Sequence, residues 1–148
     1  MRYNIDNSRL KKILSPTDFS ELSVGGVVYA CQLAKDAGAE VIIFNVVLMD
    51  ETNTVDTQEI ERHKKQLGEF ITAIKDSTGG DLKISNRVDA RQPFEVILDC
   101  AEKERADLIV VSSHGRSGLS RMLIGSVTDK LLRSATCPVL VVPAEPKR

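Results

Sequence analysis

The chain lacks tryptophan altogether, and its aromatic content is only 4%. Its three cysteines, Cys31, Cys100 and Cys137, form no CxxC pair, and only two histidines accompany them. That scarcity argues against a zinc site or a disulfide framework and leaves three thiols that pack as small hydrophobes. No run approaches the ~18 apolar residues of a membrane span, and the opening residues Met1–Asn7 hold no apolar signal core. Charge of one sign is missing too. The formal net charge is −1, and the 20 basic and 21 acidic residues are interspersed. No global basic field is available for nucleic acid or an anionic bilayer. The expectation is a cytoplasmic protein with neither a nucleic-acid nor a membrane partner.

What is present is alternation. At 148 residues and 42% hydrophobic content, the chain reads as one domain spanning 1–148 with a sizeable core. Lys12-Ile13-Leu14 starts a strand that Ser15-Pro16 should stop, since proline has no amide to donate. Ser20 caps a helix with Val24, Val27, Val28, Cys31 and Ala34 at helical spacing, closed by Gly38. "EVIIFNVV" (Glu40 to Val47) is a β-branched run suited to a strand covered on both faces. An amphipathic helix follows, with Ile60, Leu67, Phe70, Ile71 and Ile74 on one stripe, up to Gly79-Gly80. Leu82, Ile84 and Val88 alternate as an edge strand would. Pro93 opens a helix buried through Phe94, Ile97, Leu98 and Ala101. Leu108–Val111 is a fourth strand, Val127 to Arg133 a fourth helix, and Val139–Val142 a fifth strand, with a frayed "AEPKR" tail.

Five strands alternating with four helices predict an α/β fold: a single-domain, doubly wound, five-stranded parallel sheet of Rossmann-like type. With strand order 3-2-1-4-5, the ligand crevice falls between the first and fourth strands, beyond their carboxyl ends. The loops emerging there are Ser15 to Ser20 and Ser112 to Ser126.

The second loop, within "VVSSHGRSGLSRMLIGSVTDK", is longer than βα connections usually are. Gly115, Gly118 and Gly125 permit close approach to the main chain, and Gly125-Ser126 opens a helix whose first amides attract an anion. Arg116 and Arg121 add positive charge. Against this stands a reading without a ligand, in which Ser126-Val127-Thr128-Asp129 is a capping box. No lysine follows these glycines, so the loop is not a P-loop, and no GxGxxG follows the first strand. In Pro16-Thr17-Asp18, the Asp18 carboxylate can accept from a ribose diol or help hold Mg²⁺; equally, Asp18 and Ser20 can simply cap the first helix. His114 can touch a phosphate or a base, or be an ordinary loop histidine. His63, in "ERHKK", reads as a solvated helix residue. No catalytic triad, acid pair or nucleophile emerges.

Taken together, "KKILSPTDFSE" and "GSVTDKLLRSATCPVLVVP" resemble the universal stress protein family over nearly the whole chain. The resemblance implies the same five-stranded sheet and a homodimer. For one branch it implies ATP binding through glycine, two residues, glycine, nine residues, glycine and then Ser or Thr. Here the frame runs Ser112-Ser113-His114-Gly115, nine residues, Gly125-Ser126. Ser112 stands where the motif begins with glycine. Carried over by position, the resemblance implies phosphate contacts at Gly115, Gly125, Ser126 and Thr128, with His114 and Val127 beside them. It implies ribose contacts at Asp18 and around Ser112, and adenine packing near Pro16, Thr17 and Val46. Arg91 replaces a frequent family glycine and either crowds the adenine or reaches a phosphate.

The expected function is regulatory binding of ATP, with or without Mg²⁺, in a stress response, with at most slow hydrolysis. Two alternatives are a dimeric interaction module that ignores ATP and an adenylating enzyme; the latter carry SGGxDS where this chain has "SPTDFS". The hydrophobic "PVLVV" edge supplies a physical motive for a homodimer through the fifth strand.

Overall fold

The computed structural model describes residues 10–47, 52, 54–78, 80–90, 92–113 and 125–143. Nine elements follow in order: β1 (Lys12–Thr17), α1 (Glu21–Ala37), β2 (Glu40–Val46), α2 (Thr57–Thr78), β3 (Lys83–Asp89), α3 (Pro93–Glu104), β4 (Leu108–Ser112), α4 (Ser126–Ser134) and β5 (Val139–Val142). All strand pairs are parallel and the order is β3-β2-β1-β4-β5. The expected topology holds, and β3 and β5 are the edges.

Strand alternation explains the two layers. Ile13, Val41, Ile43 and Val110 face one way, into a core completed by Val27, Ala30 and Cys31 of α1 and Leu67 and Ile71 of α2. Leu14, Ile42, Phe44, Ile109 and Val111 face the other way, against Val96, Ile97 and Cys100 of α3 and Leu131 of α4. From Val41 to Phe44 the β2 run is apolar without interruption because both of its faces are covered.

Two expectations need correction. The first strand does not stop at Ser15-Pro16; it continues to Thr17, with Pro16 opposite Phe44 of β2. Proline is tolerated because its nitrogen points toward β4, where pairing ends at Leu14 and Ile109. Extending that register, the amide of residue 16 would meet the Val110 carbonyl. The Ser15 hydroxyl donates to that carbonyl instead, at 3.1 Å and fully buried. Pro16 therefore marks where β1 and β4 part, and the crevice begins there.

The second correction concerns α1. Its buried face is Ser23, Gly26, Val27, Ala30, Cys31 and Ala34, while Val28 is exposed and Val24 only partly covered. Apart from Val27, the residues that meet the sheet are small, so the helix axis lies close to β4. Ser20 caps this helix and Gly38, at φ 68°, ends it as expected. In α3 the buried stripe likewise centres on Val96, Ile97, Cys100 and Ala101, with Phe94 and Leu98 at its margins.

Cys31 and Cys100 are buried and Cys137 is half-buried, all as free thiols. Burial pushes the Cys31 and Cys100 thiols up to about 11. Among the described residues, no cluster of His, Cys, Asp or Glu could hold a metal ion, and no helix is long and apolar enough to cross a membrane.

Candidate functional site

A crevice of about 380 Å³ opens beyond the carboxyl ends of β1, β2 and β4. That size falls within the range of small-ligand pockets. Of the candidate residues, Pro16, Thr17, Asp18, Val46 and Ser112 line it, and so do Gly125, Ser126, Val127 and Thr128. His114 and Gly115 lie outside the described residues, as do Arg91, Arg116, Gly118 and Arg121.

The first wall is the turn after β1. Ser23 Oγ donates to the Ser20 carbonyl at 2.9 Å, so the Thr17 hydroxyl is the donor in its 2.8 Å bond to Ser23 Oγ. Thr17 Oγ1 then accepts the Phe19 amide at 3.0 Å. Phe19 sits at φ 65°, a backbone region that bulky side chains rarely adopt. Its ring packs edge-on against Phe70, centroids 6.1 Å apart, and tilted against His63 at 6.0 Å. One carboxylate oxygen of Asp18 accepts the Ser20 amide at 2.9 Å. Asp18 thus shapes the approach to α1 and faces the crevice as well. The helix cap itself is Ser20, with Asp18 bracing the turn that leads to it.

The opposite wall is the start of α4. Gly125 occupies the N-cap position and has no side chain with which to cap the helix. Ser126 is its first helical residue, and Asp129 pairs with Arg133 at 3.2 Å instead of folding back. The capping-box reading is therefore set aside. First-turn amides that lack an intrahelical acceptor open into the crevice, where their partial positive charge suits an anion. Thr128 is buried and its hydroxyl donates to the Ser112 carbonyl at 3.0 Å, which ties α4 to the end of β4. The Gly125 amide donates to the Ser113 carbonyl at 2.8 Å, a second tie at the same place.

Ser112 is 8% exposed. Its hydroxyl turns into α1, accepting the Gly26 amide at 3.0 Å and donating to the Ser23 carbonyl at 3.2 Å. A side chain at the first motif position is accommodated by the helix behind it.

Sequence reasoning missed the third wall. Glu59 and His63 of α2 line the crevice, together with Asn45 and Val47 at the end of β2 and Pro93 and Ile97 of α3. His63 is not a solvated helix residue: its side chain is 17% exposed and its Nδ1 lies 2.7 Å from Asn45 Oδ1. Asn45, 1% exposed, donates its amide to the Thr17 carbonyl at 2.9 Å. A carbonyl can only accept, so this bond fixes the orientation of the Asn45 amide and, through it, a proton on His63 Nδ1. Glu59 Oε2 lies 3.8 Å from His63 Nε2. A signal was present in the sequence: Asn45 is a lone amide within an apolar run, and Glu59 and His63 share a helix face at i, i+4.

The universal stress protein family model matches residues 9–143. Universal stress protein MJ0531 of Methanocaldococcus jannaschii is 33% identical, over 93% of this chain and 84% of that one. The solved structure of hypothetical protein MJ0577 superposes with a TM-score of 0.70 at 32% identity, covering 93% of this chain and 99% of that one. A universal stress protein solved in complex with cAMP has the same fold, with a TM-score of 0.71 at 22% identity over 91% of this chain and 98% of that one.

Proposed function

We propose that this chain, which belongs to the universal stress protein family, binds ATP in the β1/β4 crevice as a regulatory ligand in a stress response. The observation that carries the reading is the start of α4, where the N-cap is a glycine and the Gly125-Ser126 step lines that crevice. Backbone amides there meet the phosphates, Asp18 accepts from the ribose, and Pro16, Thr17 and Val46 cover the adenine. His114 and Gly115 complete the phosphate side, and Mg²⁺ accompanies the nucleotide. A relative of the same fold solved in complex with cAMP supports an adenine nucleotide as the ligand class. The Ser112 hydroxyl, engaged with α1, leaves that space to the ligand.

The role is one of binding and signalling, and any hydrolysis is slow. Isothermal titration with Mg-ATP tests the reading. Saturable binding that Gly125→Val abolishes is expected, since a β-branched residue would occupy the phosphate approach. An absence of signal at millimolar nucleotide overturns it, as does unchanged binding in the variant.

The protein acts in the cytoplasm as a homodimer joined along β5. Val139–Val142 is a half-exposed apolar edge strand, a surface that invites pairing with a second copy. Sedimentation at micromolar concentration should give the dimer, and a monomer there contradicts it.

A further inference from the structure

The α2 wall carries a polar group that the phosphate and ribose contacts do not use. β2 and β4 flank β1, so the Asn45 end of the crevice lies about 10 Å from the β4 end, two strand spacings away. That separation approximates the distance from the base to the phosphates of a nucleotide. The two ends differ in charge. Helix α4 offers amide donors at one end, whereas Glu59 offers a carboxylate at the other. A carboxylate repels phosphate and accepts hydrogen bonds without donating any.

Glu59 is also held in place. Arg62 bonds its Oε1, and His63, in the imidazolium form that carries a proton on Nε2 as well as Nδ1, pairs with its Oε2 across 3.8 Å. His63 is in turn set by Asn45, and Asn45 by the Thr17 carbonyl. The chain of contacts runs from the main chain of β1 to a carboxylate facing the base end. The Phe19 ring lies tilted beside the His63 ring, centroids 6.0 Å apart, and backs it. Val46, Val47, Pro93 and Ile97 give the crevice an apolar lining suited to a planar ring.

We propose that Glu59 is a specificity residue, positioned by the Asn45–His63 pair, that selects the amino-bearing edge of adenine over the oxo-bearing edge of hypoxanthine or guanine. The inference rests on the nucleotide reading given above. The amino group at C6 of adenine donates to the carboxylate, whereas an oxo group at that position meets it acceptor to acceptor. Because the Glu59 side chain is 38% exposed, the discrimination is moderate, about tenfold for one charge-assisted hydrogen bond.

Equilibrium titration of Mg-ATP and the inosine triphosphate analogue, with wild type and Glu59→Gln, tests it. Wild type is expected to prefer ATP by about tenfold, and Glu59→Gln to bring the two within about twofold, since an amide both donates and accepts. His63→Ala, which releases Glu59 from its setting, is expected to lower the same ratio. A merely structural role would weaken both nucleotides together and leave the ratio unchanged. An ATP-to-ITP ratio that is the same in wild type and Glu59→Gln overturns the inference and leaves nucleotide binding standing. Failure of wild type to bind either nucleotide overturns both.

Discussion

Ser112 Oγ lies 3.0 Å from the Gly26 amide, and a Cβ placed on Gly26 would fall 2.7 Å from that oxygen and 2.9 Å from the Ser112 nitrogen. The helix and the strand end meet through a position where only hydrogen fits. Gly26→Ala should therefore destabilise the fold by about 1–3 kcal/mol, despite the better helix propensity of alanine. In a Ser112→Gly background the loss should shrink, because one of the two clashing atoms is gone. Urea unfolding of the four proteins in the cycle measures the coupling. Additive losses would mean that the two residues do not share the contact.

Ser112→Gly alone restores the family's first motif glycine. Since the hydroxyl is committed to α1, ATP affinity should rise by no more than about threefold, a change well under 1 kcal/mol. A gain of a hundredfold would show that the serine obstructs the ligand.

Ser15→Ala should cost about 1–3 kcal/mol, because it leaves the buried Val110 carbonyl without its donor. Adding Pro16→Ala supplies a main-chain amide on the same side and should recover part of that loss. Thermal or urea unfolding distinguishes this from simple additivity.

Legibility followed local chemistry. The succession of strands and helices, the Ser20 cap and the Gly38 stop rest on alternation and turn residues that a sequence displays directly, whereas the strand order was assumed and leaned on the family resemblance. The length of β1 was not so displayed, because whether a proline ends a strand depends on which neighbour its nitrogen faces. The buried face of α1 was misjudged for a related reason. Valines suggest a core stripe, but Gly26 and Ala30 are inside because the helix approaches β4 closely. Glycines and a serine at a helix start marked the α4 end of the crevice, which Gly125 and Ser126 do line. The α2 wall stayed hidden, since His63 acquires its meaning only from Asn45, a residue on another element.

Glu104 has a carboxyl held below its ordinary range, first by the hydrogen bond from Arg87 and further by Lys12, with partial burial opposing. A depressed folded-state value means that the stabilisation is full above the unfolded pKa, about 4.3, and is lost as pH falls through the folded value. Arg87 is substantially exposed, so the contribution is at most about 1 kcal/mol. Unfolding free energy measured from pH 6 down to pH 3 should fall less steeply in Glu104→Gln than in wild type.

The thiols provide a readout of intact packing. With Cys31 and Cys100 raised to about 11 by burial and Cys137 raised in the same direction, little thiolate exists at pH 8. An aromatic disulfide reagent should label native protein slowly, beginning with half-buried Cys137, and label all three cysteines rapidly in denaturant. Rapid labelling of Cys31 in the folded state would contradict the packing of α1.

The bonds from Gly125 to Ser113 and from Thr128 to Ser112 fasten both ends of the segment 114–124 at one point on the scaffold. The end of β4 and the start of α4 are thereby held within hydrogen-bond reach of each other by bonds between described residues alone. The mouth of the crevice on this side is set by the scaffold, so weakening either bond should widen it before it disturbs the sheet.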